Sequence, residues 1–168
     1  TRDGPRTFNV DPSTPRAVKY VADRKPTGGI LQRPNSMEKN GKPAILVVND
    51  DRQVLDLIRA ILSDSGFTVR TAANVADAMK DLSGNGVPGL IITDIYMPDI
   101  DGWSFCRLLR MPEYREFNDV PVLVMSATFM TDEIRRISLE NGAADHLALP
   151  FSAAELVDRV NGLIAGRK

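Results

Sequence analysis

The amino-acid sequence predicts an α/β fold: a five-stranded parallel sheet, doubly wound, with helices on both faces. Three observations predict it. Five short apolar runs recur between residues 44 and 149, each suited to a strand buried on both faces. Each run is followed by apolar residues at helical spacing. Glycine, asparagine or proline punctuates the junctions.

The elements follow in order. AILVV (44–48) is rich in β-branched residues and reads as the first strand. Residues 51–65 carry Val54, Leu55, Ile58, Ile61 and Leu62 on one helical face, and Gly66 sits where a helix terminator belongs. FTVRTA (67–72) reads as the second strand. Asn74 can cap a helix bearing Val75, Ala78, Met79 and Leu82, which the SGNG stretch ends. GLIIT (89–93) is the third strand. Gly102 to Arg110 is helical, with Phe105, Leu108 and Leu109 inward, and Met111-Pro112 stops it. VPVLVM (120–125) is the fourth strand. A weaker helix spans 131–141 and closes at Asn141-Gly142. ADHLAL (144–149) is the fifth strand. Ser152 and Glu155 form a capping box that opens a last helix with Leu156, Val157, Val160, Leu163 and Ile164. Alternating units of this kind need right-handed crossovers and suit the flavodoxin-like strand order 2-1-3-4-5.

Composition narrows the function. The chain has 168 residues, 43% of them hydrophobic, enough for one α/β core without cross-links. Its formal net charge is −1, so no global basic field attracts nucleic acid. One cysteine excludes a disulfide framework and a multi-thiolate zinc site within the chain, and one histidine excludes a His-rich metal site. The apolar runs are far too short for a membrane span, and no signal peptide is visible, so a cytoplasmic protein without membrane contact is expected. Residues 1–40 differ from the rest. They hold five prolines and a charge of +4, against −5 for the remainder. They are expected to be a basic, mobile leader or linker, with the folded domain over 41–168. The chain begins with Thr1, so a fragment or processed product is expected, and Met37 is a conceivable natural start.

In the strand order above, ligands bind at the carboxyl ends of the strands. Asn49, Asp50 and Asp51 follow the first strand, Asp94 the third, Ser126 the fourth, and Leu149-Pro150 the fifth. Asp50 and Asp94 should converge and repel, raising one pKa. A hard cation such as Mg2+ resolves that repulsion with oxygen ligands. The lack of any glycine in NDDRQV argues against a nucleotide-binding turn after the first strand. Trp103 and Cys106 read as packing residues of the third helix.

With these residues in view, the chain resembles the response-regulator receiver domains of two-component signalling over about residues 43–166. ILVVNDD resembles the first-strand acidic motif. IITDIYMPDIDGW resembles the phospho-acceptor motif, with Asp94 at the acceptor position. VPVLVMSA and GAADHLALPF resemble the fourth- and fifth-strand motifs. The resemblance implies that Asp94 is a nucleophile that takes a phosphoryl group in a phosphorelay. It implies Mg2+ ligands in Asp50, Asp94 and the Tyr96 carbonyl, with Asn49 binding weakly or through water. It implies phosphoryl contacts from the Ser126 hydroxyl and the Ala127 amide. It places His146 at an aromatic switch position; a half-buried histidine filling an aromatic slot is the plainer reading. The implied partners are a histidine kinase or phosphotransfer protein and a downstream protein target. The target would dock on the face made by the fourth helix, fifth strand and fifth helix. Output would run through such contacts or through a portion beyond this chain.

Two positions depart from the family. An acid is usual where this chain has Asn49, and a lysine is usual where it has Leu149. Formal charge is unchanged: two carboxylates without an ammonium equal three with one. What is lost is a directed contact to the phosphoryl oxygens. A phosphate-independent interaction module is therefore the alternative. An aspartate-dependent phosphohydrolase would place a second acid two residues after Asp94, where this chain has Tyr96.

Overall fold

The computed structural model describes residues 37–38, 41–127 and 131–166. The leader expected over residues 1–40 lies outside the described residues, apart from Met37 and Glu38. The backbone of those two forms an antiparallel ladder with Lys42 and Pro43.

Five strands form one parallel sheet: β1 (Ile45–Val48), β2 (Val69–Ala72), β3 (Leu90–Asp94), β4 (Val122–Ser126) and β5 (Asp145–Ala148). Their order is β2-β1-β3-β4-β5, as the sequence predicts. The helices are α1 (Arg52–Asp64), α2 (Val75–Asn85), α3 (Gly102–Leu109), α4 (Asp132–Glu140) and α5 (Ala153–Ala165). Alternation along the strands splits the core in two. Leu46, Val48, Ile91, Val122 and Val124 pack with the buried faces of α2 and α3. Ile45, Val47, Leu90, Ile92, Leu123 and Met125 pack with Leu55, Ile58 and Leu62 of α1 and Leu156 and Val160 of α5. Each such side chain contributes about 1.5–3 kcal/mol on burial.

Each helix starts on a side-chain cap. Asp51, Asn74, Asp101, Thr131 and Ser152 accept backbone N–H groups of the first turns. At α5 the cap is one-sided: Ser152 accepts from the Glu155 N–H, while the Glu155 carboxylate lies 3.8 Å from Arg159.

Most boundaries shift by about one residue from the sequence expectation, and three differences are larger. The second strand starts at Val69, not residue 67, because the Phe67 N–H returns to the Leu62 carbonyl and its ring is buried in the α1 layer. The fourth strand starts at Val122, because the Val120 N–H bonds to Phe117 and closes the preceding turn. Pro112 does not simply stop α3: it stands in the first turn of a 3₁₀ segment, Pro112–Phe117.

Arg110 holds that corner together. Its guanidinium donates to the carbonyls of Phe117 (3.1 Å), Val120 (3.0 Å) and Gly142 (2.9 Å). Arg110 thus ties the end of α3 to the entries of β4 and β5. Hydrogen bonds from a charged donor are individually strong, and these carbonyls are partly withdrawn from water. Arg110→Met should therefore lower stability by about 2–3 kcal/mol in urea unfolding. A loss below roughly 0.5 kcal/mol would show that water serves those carbonyls equally well.

Candidate functional site

The register fixes which residues meet. Val48 pairs with Thr93, so Asn49 and Asp94 stand at one level at the strand ends. Asp94 pairs with Met125, placing Ser126 one step beyond it. Ser126 pairs with Ala148, and the Leu149 N–H donates to the Ser126 carbonyl at 2.9 Å. Asn49, Asp50, Asp94, Ser126, Ala127 and Leu149 are thus brought to one edge. His146 is not: it pairs with Val124, two rungs below the end of β5.

Asn49 is 2% exposed, and its Oδ1 accepts the Asp51 N–H at 2.8 Å. That bond shapes the turn that launches α1. Asp51 itself caps α1 through Gln53, which occupies its carboxylate as a cap. Asp50 is exposed.

Asp94 is half-buried, and its Oδ1 accepts the Tyr96 N–H at 3.4 Å. Burial pushes the Asp94 carboxyl above the usual carboxylate range. The N–H groups of Tyr96 and Ile95 pull the other way, and the Asp50 charge adds to the rise. Among the described residues no basic side chain contributes to this shift. Lys80 pairs with Asp77, and Arg107 bonds to Ser104 and Asn141.

The loop after β3 is anchored by close backbone approach. The Gly102 N–H donates to the Ile95 carbonyl at 2.8 Å. A Cβ at Gly102 would lie 2.1 Å from the Asp94 carbonyl oxygen, so only glycine fits. Asp99 adopts a positive φ of 69° within the loop. Asp101 accepts the Ser104 N–H at 2.7 Å and so is committed to capping α3.

Ser126 is fully buried and Ala127 is exposed. Leu149 is half-buried. Tyr96 is 55% exposed beside the carboxylates. The donor set is therefore two carboxylates, one buried carboxamide and backbone carbonyls. Among the described residues no group of three or more His, Cys, Asp or Glu side chains could hold a metal ion. The oxygen-only set still suits a hard divalent cation, which completes its shell with water. The excess negative charge around Asp94 points the same way.

The structure adds contacts that the sequence does not announce. Trp103 Nε1 donates to Ser138 Oγ at 3.0 Å, and Ser138 passes a bond to the Ile134 carbonyl. α3, which starts at the acidic loop, is thereby tied to α4. Cys106 is fully buried, and burial pushes its thiol up to about 12, which leaves it unreactive. His146 lies on the edge strand. Burial, with Arg135 and Arg159, lowers its pKa, and Asp145 opposes them.

A family model described as the response regulator receiver domain matches residues 45–161. The transcriptional regulatory protein PrrA of Mycobacterium tuberculosis is 44% identical over 125 residues, covering 74% of this chain and 51% of that protein. The transcriptional regulatory protein GltR of Pseudomonas aeruginosa is 37% identical, covering 76% and 51%. The chain thus spans about half the length of these curated relatives. A receiver domain of a Francisella response regulator superposes with a TM-score of 0.67 at 31% identity, covering 76% of this chain and all of that one. A putative response regulator from Chloroflexus aurantiacus gives 0.67 at 32%, covering 74% and 98%. Among the described residues no helix is long and apolar enough to cross a membrane.

Two predictions follow from this geometry. Gly102→Ala should cost about 3 kcal/mol in urea unfolding and shift the amide resonances of residues 94–97. A near-neutral substitution would mean that the loop is not held at Ile95. His146 has a folded pKa below its unfolded value, so the unfolded chain takes up the proton first. Its contribution to stability is present above pH ~6.5 and is lost as pH falls through the folded pKa. His146→Phe should flatten that part of the stability–pH curve; an unchanged curve would contradict the assignment.

Proposed function

The chain belongs to the response regulator receiver domain family, and on that premise we propose that Asp94 is its phospho-acceptor in a two-component phosphorelay. The observation that supports this most is the Asp94 carboxylate itself. It is held at a strand end by the Tyr96 N–H, within electrostatic reach of Asp50, and level with Asn49.

The reaction is a phosphoryl transfer from a phosphohistidine of a kinase or phosphotransfer protein. An Asp94 carboxylate oxygen bonds to phosphorus as the phosphorus–nitrogen bond breaks, and the imidazole nitrogen leaves with the electron pair and takes up a proton. The product is an acyl phosphate. The Tyr96 N–H orients the attacking carboxylate. The Ser126 hydroxyl and the Ala127 N–H, one and two steps beyond the rung opposite Asp94, would donate to the phosphoryl oxygens. Asp50, Asp94 and the Tyr96 carbonyl would hold Mg2+, with Asn49 as a weaker or water-mediated ligand. When bound, the cation offsets the negative charge gathered on the carboxylates and the phosphoryl oxygens.

Leu149 cannot donate to the product. A charge-assisted hydrogen bond is worth roughly 1.5–3 kcal/mol, so the phosphorylated state gains that much less hold on β4 and β5. Coupling between phosphorylation and conformation is then weaker by about one to two decades than with a cation there. Leu149 alone speaks for the phosphate-independent module. The downstream partner is a protein, met on the surface of α4, β5 and α5, and a cytoplasmic location suits the donor.

Incubation with acetyl phosphate and Mg2+ should add the mass of one phosphoryl group. EDTA and Asp94→Asn should each abolish the gain. No gain favours the phosphate-independent module; a gain that survives Asp94→Asn counts against Asp94 as the acceptor. Leu149→Lys should enlarge the phosphorylation-dependent NMR shifts of Ser126 and His146; unaltered shifts would refute the coupling argument.

A further inference from the structure

β5 is an edge strand: among the described residues β4 is its only neighbour in the sheet. Bonding alternates along a parallel strand. The Leu149 N–H is turned to the Ser126 carbonyl, so the His146 N–H and carbonyl lie on the outer edge. An open edge of this kind offers a donor and an acceptor to another strand. Here side chains take both. Asp145 Oδ1 accepts the His146 N–H at 2.8 Å, and Arg159 Nη1, from α5, donates to the His146 carbonyl at 2.9 Å. The same Arg159 nitrogen donates to Asp145 Oδ2 at 2.8 Å, which closes the group into a ring.

An ion pair between Asp145 and Arg159 needs none of this. Such pairs contribute little by themselves. This one reaches past its own partners to both backbone polar groups of one residue. The carboxylate stands where a neighbouring strand would present a carbonyl, and the guanidinium where it would present an N–H. Glu155, one turn earlier on α5, lies 3.8 Å from Arg159 and adds to its hold. Beyond the strand, Pro150 takes an outward place on the same alternation and has no N–H to offer.

We propose that Asp145 and Arg159 form an edge cap: together they occupy the outward hydrogen-bonding groups at His146 and keep β5 from pairing with β5 of a second copy of this chain. A second copy is the strand to exclude, because it carries the same edge and two such edges related by a twofold axis meet antiparallel. The cap gives these charged residues a backbone role. It is separate from the acidic strand ends and does not depend on Asp94 as the acceptor.

Amide hydrogen exchange and sedimentation velocity on the unphosphorylated chain test this with Asp145→Ala, Arg159→Met and the double variant. Asp145→Ala should speed exchange of the His146 amide about ten-fold or more, while the Leu149 amide, bonded to Ser126, keeps its rate. The double variant should self-associate more tightly than the unsubstituted chain. Adding His146→Pro removes the outward N–H without removing a bond to β4, and should abolish that gain. An unchanged His146 rate in Asp145→Ala would overturn the cap, and so would a double variant that associates no more than the unsubstituted chain. Association that survives His146→Pro would come from side chains, not strand pairing, and would overturn it equally. Should the double variant fail to fold, the single variants decide: Asp145→Ala and Arg159→Met must both accelerate His146 selectively, and an unchanged rate in either refutes the cap.

Discussion

Burial at the end of β3 raises the Asp94 carboxyl, the Asp50 charge adds a smaller part, and among the described residues no basic side chain offsets the rise. This local electrostatic imbalance organises the acidic edge. Parallel strands bring the ends of β1 and β3 to one level, which sets Asp50, in the turn after β1, on the same edge as Asp94. The fold limits the charge instead of dispersing it. Asn49 is neutral, Asp51 and Asp101 are turned to helix capping, and the Tyr96 N–H partly steadies Asp94. What remains is a small oxygen-rich edge with room in its charge balance for a divalent cation and a use for a phosphoryl group.

The surroundings are rigid where chemistry needs rigidity. Gly102 lets α3 approach the Asp94 carbonyl, and the hydrogen bond to Ile95 pins the loop between them. From there α3 reaches α4 through Trp103 and Ser138, and at its far end reaches β4 and β5 through Arg110. A change at the acidic loop is therefore mechanically connected to the face of α4, β5 and α5. The connection runs through packed helices and a few directed bonds, and both His146 and Leu149 lie on its β5 side.

Much of this was legible in the sequence, for reasons that can be named. AILVV, GLIIT and VPVLVM are continuous apolar runs, which is what strands covered on both faces require. Asn74 and Ser152 announced their helices because capping is a local interaction. The placement of Asp50 and Asp94 at strand ends was legible through topology, since strand ends are where this fold places its ligands. Interactions between distant segments were hidden. Arg110 binds three backbone carbonyls, and a carbonyl has no residue type to betray it. Pro112 signals a stop and a first helical turn equally well, so the 3₁₀ segment could not be told from a loop. The near-complete burial of Asn49 is a property of the folded strand end, which no motif encodes.

The central claim concerns one oxygen atom, and chemical trapping addresses it directly. After reaction with acetyl phosphate and Mg2+, hydroxylamine should convert an acyl phosphate to a hydroxamate, and peptide mapping should find that hydroxamate at Asp94 alone. A stable phosphate on Ser126, a hydroxamate at Asp50, or an unmodified Asp94 peptide would contradict the account.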